Sequence, residues 1–507
     1  MGRIFLGLFV GLCISCTAPK DQKESGLFTM HCSGCHKAPE INDLPREIWA
    51  SRILPDMAAR MGIRTGGFDP YQGLSFSEMD AVIKTGIFPE KPAISKEDWE
   101  LLKGYILAIA PDSLSAAAAR GPTGEMQMFS TRPVSLDSNG RSTITYLNFN
   151  PERKKLNAGD FSGNLLEYNI QDKKMGSMGR FGSAVVAYSI VNDTSYVTTI
   201  GNLRPSEIPG GRIFTGPGNR AVPLPETFHR PVHTLVNDLN NNGRMELVVS
   251  EFGDLTGQLS LLTRGVDDTY KKQVLLNLPG TIRVIAEDMN NDGKTDLVAM
   301  TAQGDEGITI LYQGEDLKFE ADKAIRFSPV YGSSWFELFD YDDDGDKDIV
   351  TVHGDNADKS FVHKPYHGLR IHINQGSNIF QESFFFPFNG ATRVVARDFD
   401  QDGDVDFGLL STFPDYRYKK GASFVYLENR DSGKFEFIPY SSAELNNGRW
   451  FLMDTGDMDD DGDEDIVLSA FSLSFTPVPP HLEKLWKEKD VDIMILENNL
   501  NPVENEK

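Results

Sequence analysis

Three patterns of apolar and polar positions divide the chain. At the start a single basic residue, Arg3, precedes an apolar stretch from Ile4 to Ile14, which ends in Ile14-Ser15-Cys16. That stretch is too short to span a bilayer and has the form of a secretory signal. Between residues 44 and 110 apolar residues recur at helical spacing. Trp49, Ile53, Met57 and Met61 share one face of a helix opened by Leu44-Pro45, and a second helix is expected over 77–85. Ser95-x-x-Asp98 caps a third that carries Trp99, Leu102, Tyr105 and Ile106. From residue 126 onward the pattern becomes that of strands. Short apolar runs such as Leu247-Val-Val, Leu297-Val-Ala, Ile349-Val-Thr and Ile466-Val-Leu are bounded by turn residues.

Each of those runs follows the same acidic loop. The loops are Asp238-x-Asn240-x-Asn242-Gly243-x-x-Glu246, Asp288-x-Asn290-x-Asp292-Gly293-x-x-Asp296 and Asp340-x-Asp342-x-Asp344-Gly345-x-x-Asp348. Asp398-x-Asp400-x-Asp402-Gly403-x-x-Asp406 and Asp457-x-Asp459-x-Asp461-Gly462-x-x-Asp465 complete the set. Oxygen-bearing side chains stand at loop positions 1, 3, 5 and 9, with Gly at 6, where the chain must turn sharply. Hard oxygen ligands in this pattern suit Ca²⁺, which takes about six to eight oxygens in a flexible shell. Unneutralised, so many carboxylates in nine residues repel one another. An EF-hand is excluded, because it needs a bidentate Glu at position 12 and flanking helices. Here position 12 is Val249, Ala299, Thr351, Leu409 and Leu468. The loops therefore join the two strands of a hairpin, and up to five Ca²⁺ are expected.

Successive loops start 50, 52, 58 and 59 residues apart, the length of one β-propeller blade. Two further pre-loop strands without a loop, Thr143-Ile-Thr-Tyr-Leu-Asn-Phe and Val185-Val-Ala-Tyr-Ser-Ile, bring the expected number of blades to seven. The last repeat lacks a fourth strand, and residues 125–131 form a strand with no blade of their own. They are expected to complete the final blade and close the ring.

The net charge of -24 over 507 residues excludes a basic nucleic-acid footprint, and so a nucleic-acid partner. Four cysteines occur, Cys13, Cys16, Cys32 and Cys35. The last two belong to Cys32-Ser-Gly-Cys35-His36, the attachment motif of c-type haem, in which two thiols take the vinyl groups and His36 becomes an iron ligand. A zinc site needs two more Cys or His nearby, and none follows for over a hundred residues. A redox dithiol needs a βαβ setting, and this stretch is helical.

These motifs resemble known families. Ser15-Cys16 resembles a bacterial lipoprotein cleavage box, although Cys13 stands where an aliphatic residue is usual. The resemblance implies lipidation of Cys16, export and a membrane anchor on the periplasmic or cell-surface side, with the outer membrane favoured. Ordinary cleavage near Ala18 is the alternative. Residues 24–112 resemble a small monohaem cytochrome c, which implies a Met as sixth iron ligand. Met57 is favoured because Met follows Trp about two turns later in such domains. The spacing from Trp49 is one residue long, so Met61 stays open. The acidic repeats resemble FG-GAP/VCBS calcium-binding propellers, in which the ions are structural.

The expected organisation is multi-domain: a small all-α cytochrome c-like domain followed by an all-β seven-bladed propeller with FG-GAP/VCBS calcium loops. The boundaries are 1–15 signal, 16–26 tether, 27–110 haem domain, 111–125 linker, 126–500 propeller and 501–507 tail. Within the propeller, residues 353–370 interrupt the rhythm and gather His363, Lys364, Tyr366, His367 and Arg370 as a candidate ligand or partner loop. Phe413-Pro-Asp415-Tyr416-Arg417 occupies the equivalent place one repeat later. The expected function is electron transfer by one covalent haem c, with the propeller recognising a redox protein, a glycan or a small ligand. A haem-coupled dehydrogenase of a sugar or alcohol is the alternative, and an adhesion or scaffold protein a second; no catalytic residue is assigned.

Overall fold

The computed structural model describes residues 20–64, 67–115, 121–136, 140–217, 220–356, 362–417, 423–473 and 476–500. Cys16, the signal segment 1–15 and the tail 501–507 lie outside the described residues. No helix among the described residues is long and apolar enough to cross a membrane.

A small helical domain comes first. Helix α1 (Lys20–Cys32) begins inside the segment expected to be a tether. Helices α2 (Arg46–Ile48) and α3 (Leu54–Arg60) are joined by a π-helical turn over Trp49–Ile53, in which Leu54 N–H reaches back to Trp49 O. Pro55 follows at the start of α3. It has no N–H to donate and its ring crowds the carbonyl four residues back, so the turn widens. The wider turn absorbs one residue between Trp49 and Met57, matching the long spacing seen in the sequence. Helix α4 (Phe76–Thr85) opens on a Ser75/Glu78 capping box and stops at Gly86 in the left-handed region. Helix α5 (Lys96–Ile109) is capped by Ser95, as expected. It buries Trp99, Leu102 and Ile106 against Trp49 and Leu54, while Leu27 and Phe28 of α1 pack on the same core.

After this domain come seven sheets, each a blade of a seven-bladed β-propeller. The innermost strands are Ile144–Asn150, Val185–Val191, Pro231–Asn237, Thr281–Glu287, Ser333–Phe339, Ala391–Arg397 and Trp450–Gly456, in blades 1 to 7. The acidic loops join first to second strands in blades 3 to 7, and this side of the disc is called the loop face. Connections between second and third strands, and between blades, lie on the far face. The second strands Glu246–Glu251, Asp296–Thr301, Asp348–His353, Asp406–Ser411 and Asp465–Ala470 are buried at every position. They lie inside a blade that is itself covered on both faces, so they read as continuous apolar runs rather than alternation. In blade 2 the acidic loop is replaced by a tight turn with Asn192 and Asp193 both at positive φ, as a two-residue hairpin requires.

Strand Phe129–Val134 pairs antiparallel with Ile493–Asn498 and completes blade 7, as expected. Both described ends of the linker are tied down. Arg46 pairs with Asp112 at 2.7 Å, and Gly124–Glu125 adds a parallel edge strand to blade 6. A Cβ at position 124 would meet the Tyr440 ring at 2.8 Å, so a larger residue there requires that ring to shift. The sequence pattern also hides helix α6 (Pro480–Lys489), inserted between the second and third strands of blade 7. Its few apolar residues anchor it through buried Trp486, whose Nε1 donates to Asn446 O at 2.8 Å.

Closure of the ring is also fastened on its inner side. Asp454 of blade 7 accepts Phe149 N–H at 2.7 Å and Asn148 Nδ2 at 3.2 Å from blade 1. Burial, the largest cause, and the nearby Glu337 carboxylate push its pKa up to about 6. A raised carboxylate pKa means that the folded state holds its proton longer than the unfolded chain. Asp454 therefore costs stability as pH rises from its unfolded value, near 3.8, through about 6. Asp454→Asn is expected to match the wild type near pH 4 and to be about 1–2 kcal/mol more stable at neutral pH. Denaturant melts at the two pH values check this, and a variant less stable at neutral pH would contradict it.

Candidate functional site

All five acidic loops adopt one backbone. Position 4 is in the left-handed region (Asn241, Asn291, Asp343, Gln401, Asp460), and the Gly at position 6 also has positive φ. The position-1 carboxylate turns inward to accept the Gly N–H, as Asp238 does from Gly243 at 2.7 Å and Asp288 from Gly293 at 2.8 Å. Asp340 and Asp398 repeat the contact at 3.0 and 3.1 Å. The position-5 side chain accepts from position 7, as in Asp344 from Asp346 N–H and Asp402 from Asp404 N–H. These bonds aim the loop oxygens at a common point. In blade 6, ligand oxygens of Asp398, Asp400 and Asp402 lie within 4.8 Å of one another, and those of Asp457, Asp459 and Asp461 do so in blade 7. In blade 5 the converging set is Asp340, Asp342 and Asp348. The loops of blades 3 and 4 use Asn240, Asn242 and Asn290 at positions 3 and 5, with Asp292.

Position 9 has a second job that its spacing does not reveal. Asp296, Asp348, Asp406 and Asp465 are fully buried, and Glu246 nearly so. Asp296 accepts Met289 N–H at 3.0 Å and Gln313 N–H at 2.7 Å, and Asp348 accepts Tyr341 and Asn374 N–H, both at 2.7 Å. Asp465 brackets Met458 and Asn498 in the same way. Asp406 brackets Phe399 and Asn429 and also accepts the Tyr426 hydroxyl at 2.7 Å. Each carboxylate thus ties its loop to the end of the third strand. In blade 3 Glu246 accepts Leu239 N–H at 3.0 Å. The last residues of two third strands carry the bracing to the loop of the preceding blade. Gln313 Nε2 donates to Leu239 O at 2.9 Å, and Asn498 Nδ2 to Phe399 O at 2.8 Å, both in the preceding blade. The signal was present as a recurrent Asn or Gln at or near the end of the third strands of blades 4 to 7: Gln313, Asn374, Asn429 and Asn498.

The electrostatics ask for a cation. Burial, with like charges beside it, pushes Asp348, Asp404 and Asp459 up to about 6 and Asp406 and Asp465 up to about 7. Asp340 Oδ1, Asp404 Oδ1, Asp459 Oδ1 and Asp461 Oδ2 are buried without a hydrogen-bond partner among the described residues. Acceptor-only oxygens left in this state are costly unless a cation supplies the missing partner. The donor set, all hard oxygen, fits Ca²⁺. Asp404, at position 7, was not among the expected ligands.

The Cys-x-x-Cys-His motif sits where α1 ends. Cys32 is its last residue, half-buried against the helical core together with Met57 and Met61, and Cys35 is exposed. Both thiols are free, and burial pushes Cys32 up to about 11. His36 Nδ1 lies 2.9 Å from Lys37 O. A carbonyl only accepts, so Nδ1 carries the proton and Nε2 keeps the lone pair that a proximal ligand needs. Trp99 Nε1 is buried in the same domain without a partner. Two thiols and an oriented imidazole within five residues, with two thioethers on the core that Cys32 touches, are groups of the kind a c-type haem uses.

Residues 288–351 match the FG-GAP-like repeat family. They span the loop of blade 4, the loop of blade 5 and the strands between. No curated protein matches the chain. The crystal structure of the Cps50 (Swd1) β-propeller domain from Myceliophteria thermophila is similar over 73% of this chain and 99% of that one, at 10% identity and a TM-score of 0.43. The chain holds a seven-bladed propeller, and part of it, residues 288–351, matches the FG-GAP-like repeat.

The candidate loop of blade 5 is on the far face, and the helical domain sits on it. Tyr366 Oη donates to Asp43 O at 2.8 Å and stacks on Tyr331, with ring centroids 5.3 Å apart. Lys37 Nζ donates to Arg326 O at 3.4 Å, Val330 joins the helical core, and Leu255 of blade 3 packs beside Ala59 and Phe88. Lys364, His367 and Arg370 are buried beneath this junction. Arg370 lies 4.5 Å from the Tyr331 ring and 4.3 Å from that of Phe385, and pairs with Glu382 at 3.2 Å. Burial holds His367 well below the ordinary histidine range, hence neutral. Of the five candidates, only His363 stays substantially exposed. Its Nε2 is 3.7 Å from Asp415 Oδ1, which also holds Arg417, so the two candidate loops do meet. Among the described residues of the loop, Tyr366, His367 and Arg370 make contacts within this chain.

Proposed function

We propose that the chain is an exported, lipid-anchored electron-transfer protein whose helical domain carries one covalent haem c and whose calcium-stabilised propeller recognises the partner or ligand. The observation that carries this reading is the attachment motif Cys32/Cys35/His36 on a domain seated directly on the propeller's far face through Asp43–Tyr366 and Lys37–Arg326. Bound there, haem supplies one-electron chemistry. Cys32 and Cys35 would anchor it, His36 would ligate it through Nε2, and Met57 or Met61 would fill the opposite position. Ca²⁺ would be held in the loops by Asp340, Asp342, Asp344, Asp348, Asp398, Asp400, Asp402, Asp406, Asp457, Asp459, Asp461 and Asp465. The mixed loops Asp238/Asn240/Asn242/Glu246 and Asp288/Asn290/Asp292/Asp296 would complete the set. Those ions brace the ring; they lie on the loop face, away from the helical domain, and are not offered as catalysts. Lipidation of Cys16 would hold the molecule at a membrane.

A redox titration of the purified holoprotein, with and without periplasmic extract, tests the reading. Reduction of the haem by a protein fraction and not by sugars or alcohols alone is the expected result. Reduction by a sugar or alcohol with no other enzyme present would replace it with the dehydrogenase reading.

A further inference from the structure

The axial channel of the ring carries a cluster that nothing above accounts for. Tyr146, His233, Arg283, Trp335, Arg393 and Leu452 hold one register position on the innermost strands of six blades, each opposite the fifth residue of the second strand. All six keep part of their surface exposed, although they stand at the middle of the disc. Arg283 of blade 4 and Arg393 of blade 6 both stack on Trp335 of the blade between them, with Cζ 4.1 and 4.4 Å from a ring centroid. Charges reach Arg283 from across the ring, since Asp454 of blade 7 acts on it as well as Glu337 of blade 5. The strand that carries Trp335 leaves the connection on which the helical domain rests, because Val330 belongs to the helical core.

The cluster has more cations than carboxylates to serve them. Glu337 is shared between Arg283 at 3.4 Å and Arg397 at 3.3 Å, and Asp454 is spent on blade 1. Arg393 donates from Nη1 to Thr392 O at 2.7 Å, and among the described residues no carboxylate pairs with it. Asp355 acts on it only from a distance, while burial and then Arg283 push its pKa down to about 9. His233 adds no charge, since burial and Arg283 push it down to about 3. Two half-buried guanidiniums beside one indole, one of them without a counter-ion, are costly. In a chain of net charge -24 the arrangement is also against the average. The unused donors are reachable. Neither Nε nor Nη2 of either arginine is a sealed nitrogen, and nor is Trp335 Nε1, so these groups stay open to the lumen.

The rest of the lumen says what kind of anion fits. Leu452 stands at the same level, and Leu235 and Ile285, two residues further along their strands, also keep surface exposed. A compact inorganic dianion would leave that apolar surface uncovered. Two separate guanidiniums ask for two anionic groups, and the planar fork of each matches a carboxylate. We infer that the channel binds a short dicarboxylate, with one carboxylate on the open nitrogens of Arg393, the other on those of Arg283, and the carbon chain against the apolar side chains. This gives a ligand class to the recognition role proposed above, on which it rests.

Calorimetric titration of the full-length, calcium-loaded protein with succinate, butyrate and sulfate tests it. Succinate is expected to bind at least about tenfold tighter than the monoacid or the inorganic dianion, and to raise the melting temperature. Arg393→Gln is expected to abolish succinate binding, yet to melt no lower than the wild type without ligand, because it removes a cation that lacks a counter-ion. Arg393→Lys keeps the charge and loses the fork, and is expected to weaken succinate about tenfold. No heat with succinate, equal binding of butyrate or sulfate, or undiminished binding by both variants would each overturn the assignment. A ligand-free Arg393→Gln protein that melts lower than the wild type would make Arg393 a structural residue and overturn it too. The assay reads neither the haem nor a protein partner, so its failure leaves the electron-transfer reading standing, and loss of that reading leaves the channel testable.

Discussion

Stripping divalent cations with a strong chelator is expected to lower the melting temperature of the propeller by on the order of 10 °C, and adding Ca²⁺ back to restore it. An ion that binds only the folded chain stabilises it by about 2.7 kcal/mol at a hundredfold excess over its dissociation constant. The three all-carboxylate loops, in blades 5, 6 and 7, are separate sites, so their contributions add to about 8 kcal/mol. In a domain larger than about 250 residues, each kcal/mol moves the melting temperature by at most a few degrees. The chelated protein must hold the buried oxygens of Asp340, Asp404, Asp459 and Asp461 against like charges with no partner. Asp459→Ala in blade 7 should reproduce part of the loss and reduce the further effect of chelator. A melt that does not move in chelator would remove metal from the account of this fold.

Replacing both cysteines of the attachment motif is expected to abolish covalent haem altogether. Expressed in a host that matures c-type cytochromes, the wild type should keep its haem through denaturing electrophoresis and acid extraction. Cys32→Ala and Cys35→Ala should each keep much less, because one thioether remains, and the double variant none. Cys32 is only half-buried and Cys35 exposed, so neither change threatens the helical core seriously, and circular dichroism will separate haem loss from misfolding. Met57→Ala should then alter the haem spectrum and lower the potential, since a thioether ligand raises it relative to His. If Met61→Ala does so instead, the ligand is the other thioether. Full retention of non-extractable haem in both single variants would defeat the motif assignment.

Much of this was legible in the sequence because it is local. Nine residues hold a whole acidic loop, from the Asp that accepts the Gly N–H to the Gly whose positive φ makes that bond reachable. The attachment motif needs only five, and Ser95 with Asp98 fixes a helix start within one turn. The blade count followed from the spacing of these short units. Other features depended on residues distant in the chain. Position 9 looked like one more outward ligand, yet Asp296, Asp348, Asp406 and Asp465 turn inward, because the third strand brings backbone N–H groups to them. The cluster from His363 to Arg370 looked like an open polar site, but docking of the helical domain claims Tyr366 and covers His367. Helix α6 escaped notice because its apolar residues are too few to mark it; Trp486 is anchored by Asn446, forty residues earlier.

By itself, then, the order of residues determined a helical part followed by a propeller, the turn chemistry of five loops and the ring's closure by the propeller's own first strand. Each is written in hydrogen bonds and periodicities that span a few residues or repeat at one interval. Only the tertiary structure decided where the helical domain rests, that the position-9 carboxylates also brace the third strands, and that His367 and Arg370 are buried. Those outcomes turn on which surfaces meet once seven sheets close into a ring, and burial then resets the cost of each charge they enclose.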